Sequence, residues 1–213
     1  TKVMLFQTKA LYSRVKTKAM DKNIIERFHK NGGYLTKKEI RTEKQRYQLR
    51  RLTEEKIVKR IKPGLFFLEE AIVSKTMIDV ERIVPEGVLC YYSAWFHYGL
   101  TTQIPQQYHV AIIKNRRVKL PDFPPIQLHY WQEKYVLLGK EYQVIENLRI
   151  PISDLEKSVC DAVKFRNKIG IDVCAEILQN YLARKDRDLT KLMRYAKNMR
   201  IGNIMQTYVT IQL

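Results

Sequence analysis

The sequence contains few cysteines, and their spacing argues against two classes of small protein. Cys90, Cys160 and Cys174 are odd in number and form no CxxC pair. Disulfide-stabilised secreted domains generally carry an even set of cysteines, and structural zinc sites carry closely spaced pairs. We therefore expect a reduced, intracellular protein whose thiols are buried.

Long apolar segments are absent as well. No apolar run approaches the roughly 20 residues that a membrane-spanning helix needs. Within residues 1–20, lysine or arginine interrupts every short apolar run, unlike the continuous apolar core of a secretory signal peptide. The sequence therefore predicts a cytoplasmic protein with no membrane partner.

Motifs for a cofactor, a metal ion or a catalytic nucleophile are missing. The eight glycines form neither a P-loop nor a GxGxxG fingerprint, and Ser93 does not lie in a GxSxG elbow. The histidines have no short metal-ligand spacing, either among themselves or with the cysteines: His29, His97, His109 and His129. His97 lies in an apolar run, so we interpret it as a core histidine rather than a ligand. We predict no cofactor, no metal site and no enzymatic activity.

One enzyme-like pattern remains as an alternative. Asp122, followed by Glu133 and Lys134, partly matches metal-dependent nucleases. In those enzymes an acid and a lysine separated by one residue point to the same side of a strand. Here Glu133 and Lys134 are adjacent and would point to opposite sides, and Asp122 lies in a proline-rich loop. A nuclease targeted to DNA is therefore the less favoured hypothesis.

Acidic residues are too few to balance the basic ones, and the imbalance lies largely at one end. The chain of 213 residues has a net charge of +17. Residues 1–62 contain 19 Lys and Arg against 6 Asp and Glu, whereas residues 63–213 contain 20 against 16. A concentrated positive charge favours a polyanion partner, because binding neutralises phosphates and releases their counterions. A basic surface kept only for solubility is the alternative.

The basic end includes a stretch, residues 36–67, with the pattern of a DNA-binding domain. Thr36 is a predicted N-cap, and a short helix after it carries Ile40 toward a core. Residues 43–55 predict a second helix, and KIVKRI and LFFL predict two strands around a Lys-Pro-Gly turn. Helix, turn, helix and a basic two-stranded ribbon are the plan of a winged helix-turn-helix. Its second helix and its wing would contact double-stranded DNA.

The polar and basic residues of this stretch divide into two predicted roles. Four lie on the side of the second helix opposite Leu49 and Leu52 and are predicted to read base edges, namely Lys44, Tyr47, Arg50 and Arg51. Gln48 is predicted at the flank of this exposed face. Phosphate contacts that fix the position on DNA would come from Lys37, Lys38, Lys59, Arg60 and Lys62. Pairing of some of these cations with nearby glutamates is the alternative, through Glu39, Glu43, Glu54 or Glu55.

The stretch divides the chain into three predicted segments. Residues 1–20 predict a basic amphipathic extension, residues 21–70 the winged domain, and residues 71–213 a second domain. Asp21 is predicted to cap the first helix of the winged domain, which ends at Asn31-Gly32-Gly33.

The second domain is predicted to be α+β. A connecting helix between Glu69 and Pro85 and a buried helix over residues 88–98 precede a set of strands. The predicted strands are residues 108–113, 126–131, 134–138 and 142–152. From Ser153 the periodicity becomes helical, with a capping box at Ser153 and three further helices after the first.

Charged residues of the C-terminal helices are predicted to lie on the surface. Asp154, Glu156 and Asp161 are interpreted as helix-start and surface charges. Eight exposed basic residues form a second set that acidic residues dilute, namely Lys164, Arg166, Lys168, Arg184, Lys185, Lys191, Arg194 and Lys197.

Several segments together resemble the AbiEi family of antitoxins from type IV abortive-infection toxin–antitoxin systems. They are GGYLTKKEI, RRLTEEKIVKRIKPGLFFL, PEGVLCYYSAWFHYGLTTQIP followed by YHVAI, and IPISDLEKSVCDAVKFRNKIGIDVCAEILQNYL followed by LTKLMRYAKNMRI. The order and combination of these segments, which cover most of residues 21–200, carry the resemblance.

The resemblance implies a repressor that binds its own operon through the winged helix. It also implies a C-terminal domain that antagonises a cognate nucleotidyltransferase-like toxin, with or without direct contact. Arg184, Lys185 and Arg194 are the residues for which we predict a role in this antagonism. Two alternatives stay open: a solitary winged-helix regulator, and an interaction protein whose aromatic-rich second domain binds a partner.

Overall fold

The computed structural model describes residues 22–73, 77–146 and 148–212. The chain is mixed α+β with two sheets, which confirms the predicted α+β class. It divides into two compact units, the second of which begins at Met77, where the sequence placed the division near residue 70. None of the helices in the described part of the chain is long and apolar enough to cross a membrane. The predicted extension and the predicted cap Asp21 lie outside the described residues.

The first helix of the first unit, α1 (Lys22–Lys30), buries Ile24 and Phe28 and ends at the predicted glycines. The backbone N–H of Gly33 donates to the Phe28 carbonyl at 2.6 Å, and Gly33 has a φ of +93°. A Cβ at Gly33 would meet the Ala71 Cβ at 2.7 Å. Glycine therefore serves here both for its backbone conformation and for close packing.

Strand β1 (Tyr34–Thr36) leads into a single 3₁₀ turn, Lys37–Glu39, at the position of the predicted short helix. The Glu39 carboxylate accepts hydrogen bonds from the Thr36 backbone N–H at 2.5 Å and from the Thr36 hydroxyl at 2.7 Å. These bonds cap the N-terminal end of the 3₁₀ turn. Ile40, directly after it, is buried as predicted.

The second α-helix, α2 (Glu43–Glu54), lies where the sequence predicts it. The Thr42 hydroxyl accepts from the Gln45 backbone N–H at 3.2 Å. The Gln45 side-chain oxygen in turn accepts from the backbone N–H groups of Thr42 and Arg41. This reciprocal cap satisfies polar groups that a helix start otherwise leaves unbonded.

The predicted wing is a hairpin of β2 (Val58–Lys62) and β3 (Leu65–Leu68). Gly64, in the turn, has a φ of +81°, which favours glycine. Strand β3 also pairs with β1, so the antiparallel sheet has the order β1–β3–β2. Its apolar side packs with Leu52 and the two helices into one core.

In the described residues between Glu69 and Pro85, two short helices replace the predicted connecting helix. They are α3 (Glu69–Val73) and α4 (Val80–Ile83). The Asp79 carboxylate accepts from the Arg82 backbone N–H at 3.1 Å and so caps α4. Because an N-cap residue leaves the helical conformation, Asp79 breaks the helix that the apolar periodicity predicts.

The second unit is built on a five-stranded sheet. Its strands are β4 (Val88–Leu89), β5 (Tyr108–Ile113), β6 (Ile126–Trp131), β7 (Lys140–Ile145) and β8 (Leu148–Ser153). Their order is β6–β5–β4–β8–β7. Strands β5 and β6 are parallel, as are β4 and β8, and the other pairs are antiparallel. Strands β5 and β6 confirm the sequence prediction.

Two predictions around this sheet are wrong because short apolar runs fit a strand and a helix equally well. The predicted helix over residues 88–98 begins with β4, and only α5 (Tyr91–His97) is helical. Helix α5 ends before Gly99, as predicted. Gly99 has a φ of +64°, a conformation that favours glycine. The predicted strand over residues 134–138 is instead helix α6 (Glu133–Leu137).

The predicted single strand over residues 142–152 is the hairpin of β7 and β8. Tyr142 pairs with Pro151 and Ile145 with Leu148. Glu146, in the turn, has a φ of +51°, which residues other than glycine rarely adopt. No glycine or proline marks this turn in the sequence, so the pattern alone does not indicate it.

Five helices complete the second unit, at the predicted end of the chain. They are α7 (Leu155–Lys164), α8 (Arg166–Ile169), α9 (Ile171–Leu182), α10 (Leu189–Asn198) and α11 (Gly202–Gln212). The cap of α7 is Asp154, which accepts from the Lys157 backbone N–H at 2.8 Å. The predicted cap, Ser153, is the last residue of β8 instead.

The three cysteines are free and buried, which confirms the predicted buried thiols. Burial raises the pKa of each thiol, to about 11 for Cys174. A raised pKa leaves little reactive thiolate near neutral pH.

Candidate nucleic-acid interface

Helix α2 is amphipathic, and its buried side determines which side chains face outward. Leu49 and Leu52 are buried in the core of the first unit. Lys44, Tyr47 and Arg50 are exposed, and Tyr47 keeps 62% of its surface accessible. Three of the four residues predicted to read bases therefore lie on the accessible side of α2.

The predicted exposure of Gln48 is wrong. Its side chain is only 4% exposed, so it faces the core and not a DNA groove. Gln48 lies about 40° around the helix from Leu52, since residues four apart nearly align. A polar residue gives no sign of burial in a hydrophobic pattern, which is why the pattern placed it at the exposed flank.

Arg51 lies at the boundary of the buried face, where the sequence placed it among the outward residues. Its side chain is 27% exposed, and its Nε lies 3.4 Å from the Glu55 carboxylate, one helical turn away. The burial of Gln48 rotates the centre of the outward face away from Arg51 and toward Arg50. Among the residues that the structure describes, Arg50 forms no ion pair.

The β2–β3 hairpin presents two adjacent basic side chains. Lys59 and Arg60 are both exposed, and the pairing of β2 with β3 shifts register between Arg60 and Lys62. Strict alternation would direct neighbouring side chains to opposite faces of the strand. The Lys59 ammonium pairs with the Glu69 carboxylate. Lys62 is half-buried, and burial lowers its pKa.

The remaining predicted phosphate contacts, Lys37 and Lys38, are exposed on the 3₁₀ turn. The Lys37 backbone N–H donates to the Gly64 carbonyl at 2.7 Å. This bond joins the turn before α2 to the turn of the β2–β3 hairpin, so the basic side chains of both belong to one continuous surface.

A groove of about 560 Å³ runs between α2 and the hairpin. Apolar side chains form part of its wall, including Ile40, Leu49 and Phe66. Its charged lining residues are four cations, Lys37, Arg46, Arg50 and Arg60, and one carboxylate, Glu54. A concave surface with several cations matches the electrostatic footprint of a nucleic-acid backbone.

Arg46 is a lining residue that the sequence prediction missed. It is exposed and pairs with Glu43, which is more exposed still, one turn earlier on α2. Exposed pairs of this kind contribute little energy, so a phosphate can compete for the guanidinium. Because Gln48 is buried, the centre of the outward face of α2 lies closer to Arg46 than the sequence pattern predicted.

The residues predicted to antagonise a toxin differ in their surroundings. Lys185 and Arg194 are exposed, and the Arg194 guanidinium lies 5.7 Å from the Tyr195 ring centroid. Arg184 is half-buried: it forms two hydrogen bonds to the Asp186 carboxylate and donates to the Tyr98 carbonyl at 2.7 Å. Arg184 therefore holds the end of α9 against the C-terminal end of α5.

The wider basic set of the second unit is less exposed than predicted. Four of its eight members are half-buried, namely Lys164, Arg166, Arg184 and Lys191. Their ammonium or guanidinium groups bond to carbonyls and carboxylates of the same unit. Long basic side chains can cover apolar surface while keeping their charge bonded, which a sequence pattern does not reveal.

The prediction that Asp154, Glu156 and Asp161 are surface charges is wrong, because all three are buried. The Lys191 ammonium bridges two of them, at 3.0 Å from Asp154 Oδ2 and 2.9 Å from Glu156 Oε2. Buried Lys157 pairs with Asp161. Each carboxylate thus has a cation partner, which makes its burial tolerable.

The nuclease alternative gains no support from the placement of its three residues. Asp122 is exposed beside Phe123, while Glu133 and Lys134 are exposed at the start of α6 and not on a strand. Within the described residues, no group of three or more His, Cys, Asp and Glu could hold a metal ion.

His97 is half-buried, and its Nε2 lies 2.6 Å from the Gln143 amide oxygen.

The arrangement of two sheets and their helices places the chain among mixed α+β proteins of two compact units. No family model matches the sequence, and no curated protein matches it. The fold is similar to the crystal structure of the RV2827C protein from Mycobacterium tuberculosis, with a TM-score of 0.55 and 12% sequence identity. The similarity covers 84% of this chain and 72% of that chain. At this identity it shows a common fold alone.

Proposed function

We propose that the first unit is a winged helix-turn-helix that binds double-stranded operator DNA. The observation that carries the proposal is the groove between α2 and the hairpin, because four cations line it and both of its walls carry exposed basic residues. An exposed basic helix beside a basic two-stranded ribbon fits the way in which winged domains contact DNA.

The two walls have different roles in this proposal. Helix α2 would lie in the major groove, where Arg50 can form a bidentate contact with a guanine, and Lys44 and Tyr47 would flank it. The wing and the 3₁₀ turn would hold the phosphate backbone through Arg60, Lys37 and Lys38, with a smaller part for Lys59 and Lys62. Arg51 supports the helix from the edge of its buried face.

We further propose that the protein is an antitoxin of the AbiEi type that represses its own toxin–antitoxin operon. Support for this part comes from the sequence resemblance over residues 21–200. In this proposal the second unit antagonises a cognate nucleotidyltransferase-like toxin, with Lys185 and Arg194 on its accessible surface. A solitary regulator with the same DNA-binding unit would lack that second activity.

The two activities can be separated with charge-reversal variants of the full chain. Lys44→Glu with Arg50→Glu is expected to abolish operator gel shifts and to leave growth rescue from an induced cognate toxin intact. Lys185→Glu with Arg194→Glu is expected to do the reverse. The two pairs lie in different compact units, each with its own core, so each double reversal leaves the residues of the other unit unchanged. Loss of rescue only when operator binding is lost would contradict the two-activity proposal.

A further inference from the structure

The second unit contains a cavity of about 370 Å³ between the end of the sheet and the start of the C-terminal helices. Most of its wall is aromatic, and Lys168 lies at its edge. Its aromatic lining residues are Tyr91, Tyr92, His109, His129, Tyr130, Trp131 and Phe165. Ligand pockets usually measure about 300–1,000 Å³, so this volume suits a small molecule of modest size.

Two ring planes and a strained residue define the cavity. Trp131 and Phe165 are nearly parallel, with centroids 6.0 Å apart and planes 10° apart. The Tyr91 ring meets His129 edge-on at 4.5 Å. Tyr91 has a φ of +45°, an unfavourable conformation for a residue with a side chain. Backbone strain of this kind is concentrated at ligand sites, where the surrounding packing holds it.

A histidine pair supplies the polar part of the wall. His109 Nδ1 lies 2.9 Å from His129 Nε2, and the rings stack with planes 12° apart. Burial lowers the pKa of both rings, that of His129 to about 4, so both are neutral near pH 7. A neutral imidazole carries one N–H and one bare nitrogen. One ring donates the proton of the shared hydrogen bond and the other accepts it. Of the two remaining nitrogens, His109 Nε2 and His129 Nδ1, one is therefore a donor and the other an acceptor.

This chemistry matches a nucleobase that carries a phosphate. Aromatic side chains stack on any base, because every base has a π-face. Every base also carries hydrogen-bond donors and acceptors on its edges, and the neutral histidine pair leaves one donor and one acceptor nitrogen outside its own hydrogen bond. The exposed Lys168 ammonium is a point charge of the kind that binds phosphate, 5.8 Å from the Phe165 ring centroid.

We propose that this cavity binds a nucleoside 5′-monophosphate, with the base among the aromatic rings against His109 and His129 and the phosphate on Lys168. The site lies wholly within the second unit and does not depend on DNA binding by the first. It gives the second unit a small-molecule ligand in addition to its proposed part in toxin antagonism.

Isothermal titration calorimetry of the full chain tests the proposal with AMP, GMP, CMP and UMP, and with adenosine and ribose 5-phosphate for comparison. We expect saturable one-to-one binding of the four monophosphates, weaker binding of adenosine, and no saturable binding of ribose 5-phosphate. Absence of saturable binding by all four monophosphates at millimolar concentration would overturn the proposal.

A charge-matched pair of variants locates the site. Lys168→Gln is expected to weaken AMP binding about tenfold, the effect of losing one charge-assisted contact, and to leave adenosine binding unchanged. Lys197→Gln removes one exposed charge from α10, which does not line the cavity, and is expected to change neither. Equal effects of the two variants on AMP binding would place the nucleotide elsewhere and refute the assignment.

Discussion

The Lys157 ammonium lies 2.6 Å and 2.7 Å from the two carboxylate oxygens of Asp161, and both side chains are almost wholly shielded from water. The two residues are one turn apart on α7, and the Trp131 ring centroid lies 4.5 Å from the same ammonium. The pair therefore joins α7 to the end of β6. Burial raises the pKa of Asp161, and the Lys157 charge opposes that shift.

Removing one member of this pair should lower the free energy of unfolding far more than removing both. Lys157→Met leaves a buried carboxylate without its cation, and we expect a loss of about 3–5 kcal/mol in the free energy of unfolding. Lys157→Met combined with Asp161→Leu should recover most of that loss, because no unpaired charge remains. Urea unfolding of the full chain measures both values.

The exposed Arg46–Glu43 pair provides the control for this measurement. Glu43→Gln should change the free energy of unfolding by less than about 1 kcal/mol, since water already solvates both groups. If the double variant were as unstable as Lys157→Met alone, the ion pair would not be the source of the effect.

Arg50 and Arg51 are neighbours in the sequence, and the structure gives them different expected roles. Arg50→Ala should cost about 1–3 kcal/mol on the preferred operator and relax the preference at one base position. Arg51→Ala should affect operator binding less and the thermal stability more, because the Arg51 side chain is half-buried and paired with Glu55. Competition binding on operator and random duplexes, beside melting curves, separates the two effects. Equal loss of operator preference in both variants would contradict the orientation of α2.

Mild acid should destabilise the second unit through the histidine pair. Burial is the main cause that lowers the pKa of His129 to about 4, with smaller contributions from His109 and Lys168. The unfolded ring takes up a proton near pH 6.5, so the contribution to stability is complete above that pH and declines as pH falls toward 4. Tyr91, which meets this ring edge-on, stays neutral throughout that range, because burial raises its pKa far above it.

His129→Gln removes this protonation and keeps a polar side chain beside His109. From pH 7 to pH 5, the wild-type chain should lose about 1 kcal/mol more stability than the variant, after allowance for the partial exposure of the ring. Urea unfolding at the two pH values provides the comparison. Parallel losses in the two proteins would show that His129 is already protonated in the folded state at pH 5.

The sequence predicted elements well where local chemistry determines them. Thr36, the Gly33 helix end and the Lys-Pro-Gly turn each satisfy backbone groups or fix a dihedral, so each could be recognised from a few residues. Burial of polar side chains could not be predicted in this way. Gln48, Asp154 and the Lys157–Asp161 pair are buried because tertiary neighbours bond or cover them, and a hydrophobic pattern contains no such neighbours.

The candidate sites, too, could be predicted from the sequence only in part. The basic character of residues 36–62 is evident from composition, but the outward direction of Arg50 relative to Arg51 depends on the burial of Gln48. The aromatic cavity combines residues from β5, β6, α5 and the α7–α8 region. No short motif connects these segments, so the sequence pattern around His109 and His129 predicts no shared site.

The salt dependence of DNA binding tests the central proposal most directly, with two double variants of equal charge in the full chain. Arg50→Gln with Arg60→Gln alters the groove of the first unit, and Lys185→Gln with Arg194→Gln alters the second unit. Fluorescence anisotropy on the chain's own upstream DNA and on a random duplex gives the binding constant at several salt concentrations. We predict that the first double variant lowers the slope of log K against log salt by about 2 and reduces the preference for upstream DNA. The second double variant should leave both unchanged, and an equal or larger effect of that variant would contradict the assignment of DNA binding to the first unit.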